Sequence, residues 1–231
     1  MQKELKSNMT WIKNYQLFLF DFDGLLVNTE EIHFLAYRRM CEGRGFSLDW
    51  SFERYCKSAH YSADALQHDV YNTFPELKAL EPSWDILYAE KKKAIMQLLS
   101  EGAVRLMPGV EELLTELAAL NVKRCVVTHS ADDLVSIVRK KNPVLDTIPF
   151  WITRRDYSHP KPHSECYLKA IKDHQLEGER VIGFEDTPRG MQALMGTDAQ
   201  AVIICTAEYP EIPSFIRHGA LHFNSFEDVA L

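Results

Sequence analysis

The sequence lacks most of what would set it apart from an ordinary globular protein. Its five cysteines, Cys41, Cys56, Cys125, Cys166 and Cys205, are scattered, odd in number and never form a C-x-x-C pair. That pattern argues against a disulfide framework or a zinc site and for reduced thiols in a cytosolic protein. Positive charge is scarce: 26 basic residues against 33 acidic ones leave a net charge of -7. A nucleic-acid binder needs a net basic face, so this balance argues against one. It leaves room for a small phosphorylated ligand, which a few local cations and a metal can hold. No apolar run is long enough to span a bilayer, and residues 1–14 have no apolar core of the kind a signal peptide carries. Internal repeats and low-complexity segments are also missing. The expectation is a soluble, cytoplasmic protein.

What is present is core material. Hydrophobic residues make up 46% of the 231 positions, enough to build a core without disulfides or a structural metal. The length suits one core carrying a sizeable insertion. Leu17-Phe18-Leu19-Phe20 is a continuous apolar run that stops at acidic residues and a glycine, as strands buried on both faces do. Cys125-Val126-Val127, Val181-Ile182-Gly183-Phe184 and Ala201-Val202-Ile203-Ile204 repeat the pattern, and Phe150-Trp151-Ile152 and Leu221-His222-Phe223 are weaker versions. Helical spacing lies between them, with Leu113, Leu114, Leu117 and Leu120 after a Pro108-Gly109 turn, and Tyr167, Leu168 and Ile171 further on. Alternation of strand and helix from about Met107 onward predicts βα units and a parallel sheet. Residues 31–105 differ: they hold amphipathic stretches (32–41, 63–71, 84–99) and no convincing strand, and read as a helical insertion.

Chemistry collects at the strand ends. Asp21 and Asp23 stand one residue apart, so in extended chain both carboxylates lie on one side. Gly24 lets the backbone turn sharply and bring amide N–H groups towards an anion. Two carboxylates there can divide labour, one attacking or binding metal and the other moving protons. D-x-D-G also occurs in calcium loops and plain turns, so on its own the motif leaves both readings open. Thr128-His129-Ser130 follows a second strand, and Ser130-x-x-Asp133 reads as a helix N-cap or a phosphate site. Glu185-Asp186 follows a third and offers hard oxygen ligands for Mg²⁺, or a solvated acidic loop. Lys161, between Pro160 and Pro162, is a stiffly held cation or an exposed turn lysine. Ligands of open α/β sheets bind outside the carboxyl ends of the strands, and three strands deliver these groups to that one edge. Such a coincidence favours a site.

The run Asp21-Phe22-Asp23-Gly24-Leu25-Leu26-Val27-Asn28-Thr29-Glu30, then Thr128, Lys161-Pro162 and Glu185-Asp186-Thr187-Pro188-Arg189-Gly190, resembles the four ordered motifs of haloacid dehalogenase (HAD)-superfamily phosphohydrolases. The chain is most similar to the β-phosphoglucomutase-like and sugar-phosphatase branch, over roughly residues 15–228. The resemblance implies an α/β fold with a Rossmann-like parallel-sheet core at 1–30 and 106–231 and an inserted α-helical cap at 31–105. It implies a hydrolase of phosphate monoesters in which Asp21 attacks phosphorus and forms an aspartyl-phosphate, while Asp23 protonates the leaving oxygen and then activates water. Thr128, His129, Lys161 and Gly24 are the implied phosphate-binding residues. Mg²⁺ is the implied cofactor, held by Asp21, the backbone carbonyl of Asp23, Glu185 and Asp186. The implied partner is a small phosphorylated metabolite, with no nucleic acid or membrane, and a monomer or weak homodimer is expected.

Departures from the pattern bear on the substrate. Asn28 stands where relatives usually have aspartate, with reduced loop support expected at most. His33, His60 and Lys91 are candidate cap or substrate residues, each with a plain surface reading beside it. Around Lys57-Ser58-Ala59-His60-Tyr61-Ser62 the sequence lacks the arginine with which a β-phosphoglucomutase grips a second phosphate, although Arg54 and Lys57 are near. Simple hydrolysis of a sugar phosphate is therefore expected over a phosphoglucomutase-like isomerase, and either over an inactive binding protein. The cap is expected to exclude water from the site.

Overall fold

A computed structural model describes residues 9–59 and 63–231 of the chain. It divides into two compact units, one formed by the chain up to Val27 and again from Leu106 to Leu231, the other by Asn28–Arg105.

The first unit holds a six-stranded, all-parallel sheet made of β1 (Leu17–Phe20), β2 (Lys123–Val127), β3 (Phe150–Ile152), β4 (Val181–Glu185), β5 (Gln200–Ile204) and β6 (Leu221–Phe223). Their order in space is β3-β2-β1-β4-β5-β6. Every side chain of β1 is fully buried, as a central strand covered on both faces requires. Its period-2 alternation sends Phe18 and Phe20 into an aromatic stack with Phe184, where the Phe20 and Phe184 rings lie 5.3 Å apart and 13° from parallel. Leu17 and Leu19 enter a cluster with Cys125, Val127, Tyr167, Leu194 and Ile203. Both faces are core, which is why these strands read as unbroken apolar runs.

The second unit is helical: α1 (Thr29–Gly43), α2 (Phe52–Ala59), α3 (Ala63–Thr73), α4 (Pro75–Leu80) and α5 (Trp84–Ser100). Its own core gathers Phe34, Tyr37, Met40, Trp50, Tyr55, Val70, Leu77 and Leu87. In the sheet unit, α6 (Val110–Ala119) leads into β2, and α7 (Asp132–Lys141), α8 (Glu165–His174), α9 (Pro188–Met195) and α10 (Ile212–Arg217) connect the strands from β2 to β6 in turn. Before α6, Gly109 has φ +80°, and a Cβ there would lie 2.7 Å from the backbone nitrogen of Glu227. Only glycine meets both demands.

Asn28 closes the helical unit at its two ends. Its backbone N–H donates to the Arg105 carbonyl at 3.1 Å, its Oδ1 accepts from the Arg105 N–H at 2.7 Å, and its Nδ2 donates to Ala103 O at 3.2 Å and Glu31 Oε2 at 3.3 Å. In the sheet unit, Val27 and Leu106 pair across an antiparallel bridge.

Three sequence expectations need adjusting. Ser130 does not cap a helix: α7 starts two residues later, behind Ala131, with no side-chain cap bond. The sequence pattern marks no helix at α2, α4, α9 or α10, which at six to eight residues are too short to stand out. Asn28 does not weaken its loop, because its amide nitrogen donates to Ala103 O and Glu31 Oε2, two acceptors that a carboxylate oxygen could not serve. All five cysteines are free thiols. Among the described residues, no helix is long and apolar enough to cross a membrane.

Candidate active site

The strand order reverses beside β1: the chain steps outward through β2 and β3, then returns to the other side of β1 with β4. The carboxyl ends of β1, β2 and β4 therefore meet at a topological switch point, where open α/β sheets place their ligands. Asp21 follows β1 and is anchored by its N–H to Phe184 O at 3.0 Å. Thr128 follows β2 and is anchored to Ile152 O at 2.9 Å. Glu185 ends β4 and Asp186 follows it. All four side chains are buried. Carboxylates so placed need counter-charge and hydrogen bonds.

Lys161 supplies both. Its Nζ lies 2.5 Å from Asp21 Oδ1, 2.6 Å from Glu185 Oε1 and 3.0 Å from the Val127 carbonyl, over the ring of Tyr167 at 4.9 Å. Burial works to strip its proton, but the carboxylates of Asp21 and Glu185 outweigh that and raise its pKa. For Glu185, burial pushes the carboxyl up from its usual range against the pull of the Lys161 ammonium. The Tyr167 hydroxyl donates to Glu185 Oε1 as well. Glu185 Oε2 lies where a Cβ on residue 190 would fall, 1.9 Å away, so Gly190 makes room for the carboxylate. Thr187 caps α9 by accepting the Gly190 N–H at 3.2 Å.

The Lys161 loop is tied to α8 by Glu165. Its carboxylate accepts the backbone N–H of Ser158 at 2.9 Å and of His159 at 2.8 Å, and meets His159 Nδ1 at 2.5 Å. His163 Nδ1 accepts the Glu165 N–H at 3.1 Å. The group His159, His163 and Glu165 thus spends both Nδ1 atoms and its carboxylate on the loop.

Asp23 turns to two hydroxyls. Its Oδ2 accepts from Ser130 Oγ at 2.5 Å and from Thr128 Oγ1 at 3.2 Å, and the Ser130 N–H donates to Thr128 Oγ1 at 3.0 Å. Gly24 has φ +80° and gives its N–H to Val27 O at 2.8 Å. It shapes the turn, and the N–H that the sequence reading offers to a phosphate is already engaged. His129 Nδ1 lies 2.9 Å from the Tyr157 hydroxyl, which donates to Thr128 O at 3.1 Å. A carbonyl only accepts, so the Tyr157 oxygen must accept from His129 Nδ1–H, which leaves Nε2 as the ring's acceptor. Burial, then Arg189, Arg154 and Lys161, holds the His129 pKa below its usual value and the ring neutral.

Oxygens of Asp21, Glu185 and Asp186 lie within 4.8 Å of one another, all three residues buried. An all-carboxylate donor set at adjoining strand ends fits Mg²⁺, a hard cation that takes oxygen ligands. The Asp23 carboxylate is directed instead to Thr128 and Ser130. Sequence reasoning missed Ser130 as a partner of Asp23, and missed Tyr157 and Tyr167 altogether. Tyr167 carries the spacing of an apolar helix face, and nothing in the pattern distinguishes its hydroxyl.

In the helical unit His33 and Lys91 lie together, with Lys91 Nζ 3.1 Å from His33 Nδ1. Lys91 is 2% exposed and sits over the rings of Tyr37 and Tyr88, whereas Lys92 and Lys93 are exposed. Burial, with Lys91 adding to it, lowers the His33 pKa to about 4. The neutral ring accepts the ammonium at Nδ1 and carries its hydrogen on Nε2. Arg54 lies over Trp50 at 4.5 Å and donates to Thr73, and Lys57 pairs with Glu53 at 2.6 Å. His60, with Tyr61 and Ser62, lies outside the described residues.

The sequence profile of the haloacid dehalogenase-like hydrolases matches residues 18–204. A validoxylamine A 7'-phosphate phosphatase of Streptomyces hygroscopicus subsp. limoneus is 30% identical over 78% of this chain and 80% of its own length. A phosphorylated carbohydrates phosphatase of Thermotoga maritima is 26% identical over 91% of this chain and 94% of its own. Among solved structures, CbbY of Rhodobacter sphaeroides in complex with phosphate superposes with a TM-score of 0.68 at 20% identity, covering 93% of this chain and 96% of that one.

Proposed function

The chain belongs to the haloacid dehalogenase-like hydrolases, and from that premise we propose that it is a Mg²⁺-dependent phosphatase of a small sugar phosphate, working through an aspartyl-phosphate on Asp21. The observation that carries this reading is the buried Lys161 ammonium, bonded to Asp21 while Asp21 shares a carboxylate cluster with Glu185 and Asp186. A nucleophilic carboxylate must approach an anionic phosphoryl group, and that approach requires neighbouring positive charge. Two of the phosphatases among the relatives, one named for phosphorylated carbohydrates and one for validoxylamine A 7'-phosphate, support the substrate class.

Asp21 attacks phosphorus, and the bond from phosphorus to the ester oxygen breaks. Asp23 gives its proton to that leaving oxygen, so the alcohol departs neutral. Water then attacks phosphorus, Asp23 takes a proton from it, and the bond from Asp21 to phosphorus breaks to release phosphate. Lys161 neutralises charge on Asp21 and on a phosphoryl oxygen throughout, and the Thr128 hydroxyl serves another phosphoryl oxygen. Asp21, Glu185 and Asp186 are the side chains to hold Mg²⁺, which when bound supplies further charge neutralisation at the phosphoryl group. Hydrolysis is favoured over a mutase because Arg54 and Lys57 are engaged with Trp50, Thr73 and Glu53, not presented as a second phosphate site.

A panel of sugar phosphates and other phosphate monoesters, assayed for phosphate release, tests the reading. Release is expected with Mg²⁺, is lost with EDTA and returns on adding Mg²⁺, while Asp21→Asn stays at background. If no ester releases phosphate faster than with that variant, the reading is wrong. Glucose 6-phosphate formed from glucose 1-phosphate would instead identify a mutase.

A further inference from the structure

Ser130 looks from the sequence like a helix cap, yet its hydroxyl is spent on Asp23, more than a hundred residues away in the chain. Asp23 Oδ2 accepts from two hydroxyls, Ser130 at 2.5 Å and Thr128 at 3.2 Å. These bonds differ in what binding of a phosphoryl group does to them. A threonine hydroxyl has one proton, so Thr128 serves either Asp23 or a phosphoryl oxygen. Ser130 carries its own proton and, through its backbone N–H, holds Thr128 Oγ1 from the other side at 3.0 Å.

We propose that Ser130 is the positioning residue of Asp23: its hydroxyl holds the Asp23 carboxyl in place for proton transfer while Thr128 exchanges that carboxyl for the phosphoryl group. A hydroxyl suits this task because it both donates and accepts. It donates to Asp23 as a carboxylate and accepts from it as an acid, so the contact survives both halves of the reaction cycle. An ammonium in its place, which only donates, would fit one half only. The assignment rests on the phosphatase reading and deepens it, adding a residue that acts through the acid and base.

The test uses leaving groups. The parameter kcat/KM reports the steps up to aspartyl-phosphate formation, where Asp23 must protonate a poor leaving group such as a sugar alkoxide. p-Nitrophenolate departs without that proton. Ser130→Ala is expected to lower kcat/KM for the best sugar phosphate by roughly ten-fold or more, and for p-nitrophenyl phosphate by less than about two-fold, within the range general acid catalysis commands. Ser130→Thr, which keeps the hydroxyl, is expected to retain both activities. Ser130→Cys, similar in size but a weak hydrogen bonder, is the second variant should the alanine protein fold poorly, and it is expected to show the same selective loss. Equal losses on both substrates, or no loss on either, would overturn the proposal. Failure of the phosphatase reading is distinct: wild type itself would then release no more phosphate than Asp21→Asn.

Discussion

Lys161 is the residue on which most of the buried charge depends. Two carboxylates share its ammonium, and its own side chain is 8% exposed. Removing one partner of a buried ionic group leaves uncompensated charge and costs about 3–5 kcal/mol. Lys161→Ala is therefore expected to lower unfolding free energy by about that much, measured by chemical denaturation, and to abolish phosphate release. Adding Glu185→Gln should return part of the lost stability without returning activity, because groups that share a contact are not additive. Purely additive losses in the double variant would show that Glu185 does not depend on Lys161. The lysine itself was legible, fixed between two prolines after a strand. Its partners were legible only as separate strand-end acids, because which strands adjoin is a matter of topology. Tyr167 was not legible: a hydroxyl at the tip of an apolar ring leaves the helical spacing unchanged.

Among the elements, the strands were the easiest to read and the short helices the hardest. A strand buried on both faces in a parallel sheet cannot tolerate polar interruption, so β1, β4 and β5 announce themselves as apolar runs. A six-residue helix such as α4 or α10 gives fewer than two turns of periodicity, too little to set it apart from a loop. Ser130 was misread for a related reason, since a serine three residues before an aspartate has the local signature of a cap while its real partner is remote. Asn28 makes the same point at the ends of the helical unit. Family resemblance sets aspartate as the norm there, but the amide nitrogen faces the Ala103 carbonyl and the Glu31 carboxylate. Asn28→Asp replaces that donor with an oxygen facing two acceptors, and it is expected to destabilise the protein by about 1–3 kcal/mol at neutral pH. An unchanged denaturation midpoint would show that the amide bonds carry no weight.

At the scale of the whole molecule, acid should act in two stages. His33 has a folded pKa of about 4 against 6.5 in an unfolded chain. As pH falls through that window the unfolded chain takes up a proton that the folded one refuses, so stability drops, by at most about 3 kcal/mol. Glu165 follows: hydrogen bonds from Ser158 and His159 hold its carboxyl at about 2, so its contribution is complete above about pH 4.5 and is lost between there and pH 2. Denaturation midpoints measured from pH 7.5 down to 4 are expected to fall for wild type and to stay flatter for His33→Gln; parallel curves would remove His33 as the cause. The bridge between Val27 and Leu106 has a consequence of another kind. The sheet unit holds the exit and re-entry points of the intervening segment side by side, so its threading is indifferent to what is spliced between them. Closure entropy rises only with the logarithm of loop length, about 0.6 kcal/mol per doubling. The intervening segment can thus be exchanged or remodelled as one contiguous cassette, while the groups at the strand ends keep the register that the strands impose.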